Sequence, residues 1–219
     1  MKALIVGVTG LIGSCCLKEL LDDDQYSSVE IWVRNLSRNF HEKLTERLIN
    51  FDKIADQSLT GIDHVFCCLG TTINKVKTKE AFAKVDNEYV TELAKLAEKS
   101  GCQKFLVISS IGANKKSKNL YLRTKGEMED AVKKCSVPAI YILQPSMLLG
   151  KRKEFRFGEK IGKALMYLIK FMLVGKMRKY RGIQAAIVAK AMVKFAQRKE
   201  AGIFIMESDD ILKSIIKIK

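Results

Sequence analysis

Short apolar segments alternate with helix-forming segments along most of this chain, and no other feature constrains the fold as strongly. The apolar segments are rich in Val, Ile, Leu and Phe, and the clearest lie at 2–8, 29–33, 64–70, 104–110 and 138–145. The segments with helical spacing of apolar residues include 11–21, 80–101 and 121–135. Near-continuous apolar strands joined by helices are typical of a parallel sheet covered by helices on both faces. The sequence therefore predicts an α/β fold with a doubly wound parallel sheet.

The rest of the chain extends the same plan. A weaker strand is predicted at 47–51, and the C-terminal part contains a helix at 183–199, a strand at 202–207 and a short helix that begins at Ser208. With 219 residues, 47% of them hydrophobic, the chain is long enough for one domain with its own core. We predict a single domain over 1–219, in which 150–219 includes a small basic C-terminal extension.

Three glycines, at intervals of three residues, lie where the first strand ends. Between a parallel strand and the next helix, glycines permit a tight turn, let the backbone approach a pyrophosphate and let helix and strand pack closely. The helix N-terminus then offers unpaired N–H groups to the anion. A merely tight turn is the alternative interpretation, because the spacing is not that of the general dinucleotide fingerprint. The residues predicted to bind the cofactor here are Gly7, Thr9, Gly10, Leu11, Ile12 and Gly13.

These glycines and a later YxxxK motif, Tyr121 to Lys125, make the chain resemble the short-chain dehydrogenase/reductases. Within that superfamily it most resembles the atypical branch that includes the Tat-interacting oxidoreductase-like proteins. Four stretches carry this likeness: FCCLGTT at 66–72, VDNEYV at 85–90, ISSIGANKKSKNLYLRTKGEME at 108–129 and GKRKEFRFGEKIG at 150–162. The resemblance implies an NAD(P)-binding Rossmann fold and reversible hydride transfer between a nicotinamide cofactor and a carbonyl or alcohol substrate.

The predicted catalytic residues are Ser110, Tyr121 and Lys125. Tyr121 and Lys125 are four residues apart, so a helix presents both side chains on one face, where the ammonium favours the tyrosinate form. The resemblance implies that the lysine also binds the nicotinamide ribose and that a serine after the preceding strand bonds the substrate oxygen. Ser110 is predicted for that role and Ser109 to point away, because strand residues alternate between faces and the family uses the second serine. An ordinary surface Tyr–Lys pair is the alternative.

The end of the second strand bears on cofactor choice. The strand VEIWV is followed by Arg34 and Asn35, with no acid before Glu42. An acid at this point would bond the ribose hydroxyls of NAD and repel a 2′-phosphate, whereas an arginine attracts that phosphate. NADP is therefore predicted in preference to NAD, with assistance from Arg38. The alternative is that Arg34 is an ordinary solvated arginine.

Further cofactor contacts follow from the resemblance. Asp52 occupies the position of an acid near the adenine, although an ordinary loop acid is an equal alternative. The end of a strand, formed by Leu69, Gly70 and Thr71, is expected to lie against the ribose on the nicotinamide side of the cofactor. Pro145 resembles the proline that borders the nicotinamide, and Gln144 stands where the family usually has an arginine.

The cysteines and histidines indicate no metal site. The six cysteines form neither a CxxC metal knuckle nor a disulfide framework, and they are interpreted as small buried residues in a reducing compartment. The two histidines, His41 and His64, lack partners at ligand spacing. The apolar run at the N-terminus is interrupted by glycines, unlike a secretory signal peptide. We predict a cytoplasmic protein.

Much of the positive charge is local. Between Lys151 and Arg181 eleven Lys and Arg face two Glu, which is +9 of the formal +15. Within this segment, 161–175 is predicted to be an apolar helix too short to span a bilayer. It is interpreted as a substrate-side lid or as a packing helix against the domain or a second subunit. The alternatives are contact with a protein partner, an anionic substrate or an anionic membrane surface. Nucleic acid is not favoured, because no reader motif accompanies the charge.

Three functions remain open from the sequence. The first is an NADP-dependent oxidoreductase that acts on a small carbonyl or alcohol. The second is an NADP-binding redox sensor or regulatory scaffold without turnover. The third is a peripheral membrane protein that works through its basic apolar helix. The sequence identifies neither the substrate nor the oligomeric state.

Overall fold

The computed structural model describes residues 1–36, 40–150 and 180–216. Its strands are β1 (Lys2–Val6), β2 (Ser28–Val33), β3 (Leu44–Leu48), β4 (His64–Cys67), β5 (Lys104–Ile108), β6 (Ala139–Gln144), β7 (Leu148–Leu149), β8 (Ile183–Gln184) and β9 (Gly202–Glu207). Its α-helices are α1 (Leu11–Leu21), α2 (Ile73–Val76), α3 (Lys79–Ala83), α4 (Tyr89–Lys99), α5 (Leu120–Val132), α6 (Ala185–Ala196) and α7 (Ser208–Ile215). A 3₁₀ helix spans Phe51–Asp56, and a π-helical turn spans Lys84–Glu88.

A parallel sheet of seven strands forms the centre of the molecule, in the order β3-β2-β1-β4-β5-β6-β9. The strand order reverses beside β1, because β2 and β3 lie on one side of it and β4, β5 and β6 on the other. Ligands of open α/β sheets bind at such a reversal, beyond the carboxyl ends of the strands. The predicted doubly wound sheet is confirmed, and β7 pairs with β8 in a separate small sheet.

Both faces of the sheet are buried, as the apolar strands predicted. Successive strand residues enter opposite cores: Ile5 packs on the side of α1 and α6, and Leu4 on the side of α4 and α5. Helix α6 packs against α1, and β9 extends the sheet beside β6. The C-terminal elements that the structure describes are therefore integrated into the sheet and its core.

Two elements differ from the prediction. The weaker strand expected at 47–51 is β3, Leu44–Leu48, and it ends earlier because the Asn50 side chain accepts the Asp52 N–H and turns the chain into the 3₁₀ helix. The single helix expected over 80–101 is α3, the π-helical turn and α4 in succession.

The predicted basic helix at 161–175 lies outside the described residues, as does Arg38. Within the described ranges, no helix combines the length and apolar character needed to cross a membrane.

Candidate functional site

The glycine-rich turn packs its backbone against the ends of β1 and β4. Gly7 has a φ of +89°, and a Cβ there would lie 2.4 Å from the Cys68 carbonyl oxygen. A Cβ on Gly13 would lie 2.2 Å from the Gly7 carbonyl oxygen. Gly10 is less restricted, because its nearest neighbour would be that same oxygen at 3.2 Å. Glycine at 7 and 13 therefore lets α1 begin directly against the carboxyl edge of the sheet.

The amino end of α1 is suited to an anion. Its N-cap is Gly10, which has no side chain to bond the first turn. An α-helix leaves its first N–H groups without intrahelical partners and carries a partial positive charge at this end. Thr9 and Gly10 are exposed and Leu11 is half-buried, whereas Ile12 and Gly13 are buried. The turn thus presents main-chain N–H groups that could bind an anion, while the Ile12 side chain packs in the core.

Tyr121 and Lys125 lie one turn apart near the start of α5, as the YxxxK spacing predicts. Tyr121 is 39% exposed and its ring centroid lies 6.0 Å from that of Phe82. Lys125 is buried; its Nζ lies 2.9 Å from Asp86 Oδ1 and donates to the Ile108 carbonyl oxygen at 3.3 Å. The lysine is therefore directed at the carboxyl end of β5.

The charge of Lys125 depends on its neighbours. Burial on its own lowers the pKa of Lys125, but the Asp86 carboxylate and the Tyr121 side chain in its phenolate form raise it, and the net pKa lies above the usual lysine value. Lys125 is consequently a cation beside Tyr121 at neutral pH.

Asp86, in the stretch VDNEYV, lies beside Lys125, although the sequence motifs assign it no role. It is 1% exposed, and its second oxygen, Oδ2, accepts the Thr71 N–H at 2.7 Å. A signal for it exists in the sequence, because Phe82, Val90 and Leu93 share its helical face and are buried apolar residues. An acid on a core-facing helix stripe requires a buried partner.

The two serines after β5 differ in their partners. Ser109 is buried and donates to Glu129 Oε1 at 2.5 Å; Gln144 Nε2 donates to the same oxygen at 2.8 Å. Ser110 is half-buried, and its hydroxyl donates a long hydrogen bond, 3.4 Å, to the Ile111 carbonyl oxygen. Ser109 is therefore committed to an internal cluster, and the Ser110 hydroxyl is the freer of the two.

The residues predicted on the nicotinamide side lie along the same edge of the sheet. Leu69, Gly70 and Thr71 follow β4, and Pro145 follows β6. A Cβ on Gly70 would lie 3.5 Å from Asp86 Oδ1, and the Pro145 carbonyl oxygen accepts the Ile111 N–H at 3.1 Å. Because β1, β4, β5 and β6 are adjacent parallel strands, their carboxyl ends bring these segments and the glycine turn together.

The residues predicted near the adenosine lie at the ends of β2 and β3. Arg34 and Asn35 are exposed directly after β2. Asp52 is also exposed, and it lies 2.8 Å from Lys84 Nζ and accepts a hydrogen bond from the Tyr89 hydroxyl. These two hydrogen bonds lower the pKa of Asp52. A contact from Asp52 to adenine would therefore compete with partners that it already has.

Other polar groups lie away from this edge. An open cavity of about 410 Å³ at the amino edge of the sheet is lined by residues that include His64, Lys104 and Arg198, and none of these three belongs to the predicted site. In the part of the chain that the structure describes, no cluster of three or more His, Cys, Asp or Glu side chains could hold a metal. All six cysteines are free thiols.

Comparison with known proteins adds a family and relatives. A model of a protein family described as NAD(P)H-binding matches residues 7–199. The protein HTATIP2 of Rattus norvegicus is 34% identical over 163 residues, which are 72% of this chain and 67% of the relative. The mitochondrial protein FMP52 of Candida albicans is 30% identical over 225 residues, 97% of each chain. The rat relative confirms the resemblance to the Tat-interacting oxidoreductase-like branch.

Solved structures share the fold. MoeE5 in complex with UDP-glucose and NAD has a TM-score of 0.70 at 14% identity, covering 97% of this chain and 80% of that one. A UDP-glucose 4-epimerase with UDP-glucose from Thermotoga maritima has a TM-score of 0.67 at 18% identity, covering 94% and 77%. This likeness confirms the predicted Rossmann fold.

The prediction of a cytoplasmic protein is contradicted. The fungal relatives, among them those of Candida albicans and Debaryomyces hansenii, are named as mitochondrial proteins. Unpaired cysteines indicate a reducing environment, and such an environment is not peculiar to the cytoplasm. Free cysteines and an N-terminal apolar run interrupted by glycines were therefore too weak a basis for the cytoplasmic assignment.

Proposed function

Because this chain belongs to the NAD(P)H-binding family and has an oxidoreductase-like domain, we propose that it is an NADP(H)-dependent oxidoreductase of the short-chain dehydrogenase type. The substrate would be a small molecule with a carbonyl or alcohol group. The observation that carries the proposal is the pairing of Tyr121 with the buried, cationic Lys125 on α5. Both lie at the edge of the sheet where the amino end of α1 is open to a diphosphate.

Each residue of the site has a chemical role in this proposal. The bound cofactor supplies or accepts the hydride. In the reductive direction the Tyr121 hydroxyl gives its proton to the carbonyl oxygen, and the Lys125 ammonium stabilises the phenolate that remains. The Ser110 hydroxyl donates a hydrogen bond to the same substrate oxygen. The main-chain N–H groups at the start of α1 hold the diphosphate, with Pro145 and the segment Leu69–Thr71 bordering the nicotinamide half.

The preference for NADP rests on the end of β2. Arg34 is exposed there, the sequence has no acid from Arg34 to His41, and a guanidinium binds phosphate through two parallel hydrogen bonds. Structural neighbours are described with NAD, so both cofactors belong in the test.

The proposal is tested by binding and turnover in one preparation. Thermal protection by NADPH and by NADH measures binding, and loss of NADPH absorbance with 9,10-phenanthrenequinone and a panel of aldehydes and ketones measures reduction. We expect NADPH to protect the wild-type protein and to be oxidised by at least one carbonyl. Tyr121→Phe should keep the protection and lose the reduction. If neither NADPH nor NADH protected the protein against thermal unfolding, the proposal would be rejected.

The same experiment separates the alternatives that the sequence left open. A wild-type protein that binds NADPH but reduces none of these carbonyls would favour the redox sensor or scaffold. The membrane interpretation depends on 151–181, of which 151–179 lies outside the described residues. Sedimentation with anionic vesicles tests it directly.

A mitochondrial location is also proposed, supported by the names of the fungal relatives. Fractionation of the source cells, with the protein followed by antibody, tests it. Recovery in the cytosolic fraction alone would contradict it.

A further inference from the structure

A row of side chains at the amino edge of the sheet has polar residues at its centre and small residues on both sides. The strand register places His64 of β4 beside Lys104 of β5, with Ala3 next to His64 on β1 and Ala139 next to Lys104 on β6. In-register residues of parallel strands point to the same face, which for the two alanines is the face covered by α1 and α6. Because alanine fills little space, the row leaves room around the imidazole and the ammonium group.

This room is part of the open cavity of about 410 Å³ at the amino edge. The volume lies within the range of roughly 300–1,000 Å³ that is usual for small-molecule sites. His64 and Lys104 line the cavity, as does the chain from 196 to 201 at the end of α6. The apolar part of the lining includes Pro138, Ala139, Ala196 and Ala201. The cavity thus combines two polar side chains with a short apolar wall.

The His64 imidazole is buried and has one ring nitrogen free. The side chain is 4% exposed, and its Nδ1 lies 2.9 Å from the hydroxyl of the fully buried Tyr26. Burial raises the pKa of Tyr26, so the hydroxyl is protonated and donates to Nδ1, which places the imidazole proton on Nε2. Among the described residues, Nε2 has no hydrogen-bond partner. With Nδ1 turned towards Tyr26, the Nε2–H donor is left for the cavity that His64 lines.

Lys104 is a partly desolvated cation beside this donor. Its Nζ donates to the Arg198 carbonyl oxygen and lies 5.9 Å from the centroid of the Tyr141 ring, and no carboxylate of the described residues is within ion-pair distance of it. Burial lowers the pKa of Lys104, and the charge of Glu200 opposes this effect. The Glu200 carboxylate lies 3.8 Å from the Arg198 guanidinium instead. An ammonium group has three N–H donors, so two remain for a ligand.

We propose that this cavity binds a small organic carboxylate with a short apolar chain. The carboxylate accepts hydrogen bonds from His64 Nε2 and Lys104 Nζ, which come from neighbouring strands about 4.8 Å apart, and the chain lies against the alanines of the wall. One neutral donor and one ammonium suit a single negative charge, whereas inorganic phosphate would leave most of its oxygens without partners. The site lies at the edge of the sheet opposite the proposed cofactor site, so the inference does not depend on the oxidoreductase function.

Binding can be measured at His64 itself, because the chain has two histidines. The imidazole ¹³Cε1 signals are followed by NMR at neutral pH while sodium chloride is replaced by sodium butyrate at constant ionic strength, and His41→Gln assigns them. We expect a saturable shift of the His64 signal, with half-saturation below about 20 mM for a ligand this small. The exposed His41 should show no saturable shift. A His64 signal that does not respond would overturn the inference.

A pair of lysine variants tests the role of the charge. Lys104→Gln removes the cation while its amide can still donate to the Arg198 carbonyl oxygen, and it should raise the half-saturation concentration about tenfold. Lys95 on α4 forms an exposed ion pair with Glu92 at 2.8 Å, and Lys95→Gln changes the net charge by the same amount. This control should bind butyrate as the wild type does. Equal affinities of the two variants would overturn the assignment of the carboxylate to Lys104.

A steric variant covers the case in which Lys104→Gln fails to fold. Ala201 is exposed and lines the cavity, so a larger side chain there is tolerated and occupies the space of the ligand. Ala201→Phe should abolish the saturable shift of His64 without removing a charge, whereas Ala201→Ser, which adds little volume, should retain it. Unchanged butyrate binding by a folded Ala201→Phe protein would overturn the inference.

Other probes test the chemical class of the ligand. Butyramide has nearly the shape of butyrate but no charge, and it should produce no saturable shift of the His64 signal. Acetate lacks the apolar chain and should bind more weakly than butyrate. Tighter binding of inorganic phosphate than of butyrate would overturn the assignment to a carboxylate.

The titration is repeated with saturating NADPH to separate this site from the proposed cofactor site. We expect the same half-saturation concentration for butyrate with and without NADPH. Competition between the two would overturn the location at the amino edge. A protein that NADPH does not protect would reject the oxidoreductase proposal alone, because the butyrate titration needs no cofactor.

Discussion

Single residues decide whether the glycine turn can exist. Gly13 is the tightest position, because a Cβ there would lie 2.2 Å from the Gly7 carbonyl oxygen, a backbone atom that cannot rotate away. Gly10 in the same turn has its nearest neighbour at 3.2 Å. The two positions are therefore a matched pair for separating close packing from general sensitivity of the turn.

We predict that Gly13→Ala lowers the free energy of unfolding by about 1–3 kcal/mol. It should also weaken NADPH binding, because the clash moves α1 away from β1. Urea unfolding and NADPH titration measure the two effects. Gly10→Ala should cost less stability than Gly13→Ala, and equal losses would contradict the assignment of Gly13 to close packing.

A second residue-scale prediction concerns Arg34. Arg34→Ala should raise the dissociation constant for NADPH about tenfold and leave that for NADH nearly unchanged. The reason is that the substitution removes a charged contact with the 2′-phosphate, which NADH does not have. Titration of the two cofactors measures the ratio. Arg198→Ala, at the far edge of the sheet, serves as control, and an equal loss for NADH and NADPH would argue against phosphate recognition.

At the scale of elements, the loop between β5 and α5 depends on a glycine within the helix. A Cβ on Gly126 would lie 2.3 Å from the Lys115 backbone nitrogen, and the Asn114 N–H donates to the Leu122 carbonyl oxygen at 3.0 Å. A glycine costs helix stability, and here it lets the loop backbone lie directly on α5. The loop connects Ser110 with Tyr121, so this contact sets how two of the proposed catalytic residues face each other.

We predict that Gly126→Ala displaces this loop and lowers turnover more than NADPH binding. Amide hydrogen exchange should increase at Asn114, because its hydrogen bond to α5 is broken. Glu127→Ala, an exposed position on the same helix, is the control. Unchanged exchange at Asn114 in a folded Gly126→Ala protein would refute the contact.

At the scale of the whole molecule, the amino edge of the sheet contains a pH-sensitive group remote from the site. His64 is 4% exposed, and its Nδ1 lies 2.9 Å from the Tyr26 hydroxyl. Burial lowers the pKa of His64 to about 4, assisted by the charges of Lys104 and the N-terminus and opposed by Asp63. At pH values between about 4 and the ordinary histidine pKa of about 6.5, His64 is therefore protonated to a greater extent in the unfolded chain than in the folded chain.

It follows that the protein loses stability as the pH falls from about 6.5 to about 4, with a contribution from His64 of about 1–3 kcal/mol. Urea unfolding at a series of pH values measures this slope. His64→Gln should flatten it and leave NADPH binding unchanged, because His64 lies at the opposite edge. An undiminished slope in the variant would assign the acid sensitivity to other groups.

The sequence predicted the sheet well because its signals are local. The apolar run before Gly7 and the glycine spacing indicate a parallel strand followed by a tight turn. Both signals can be recognised from a few neighbouring residues, without knowledge of the rest of the chain. The YxxxK helix was predicted for the same reason. The position of β3 was missed because Leu44–Leu48 is an edge strand with mixed polarity, and a side-chain bond from Asn50 ends it.

The contacts across the site could not be predicted in this way. The partnership of Asp86 with Lys125, and that of Ser109 with Glu129, join residues from different elements, whose distance follows only from the packing of helices on the sheet. The sequence shows that such groups are polar and lie in apolar surroundings. It does not show which of them meet.

The glycine turn also limits how this protein could change its cofactor. In the proposed site the diphosphate is bound by main-chain N–H groups, and substitution changes such a site little, because the amide groups are the same in every sequence that can adopt the turn. Selection for another nicotinamide cofactor would find little to exchange there and would instead act on the exposed side chains after the second strand. Divergent relatives of this protein should accordingly keep their glycines and vary at position 34.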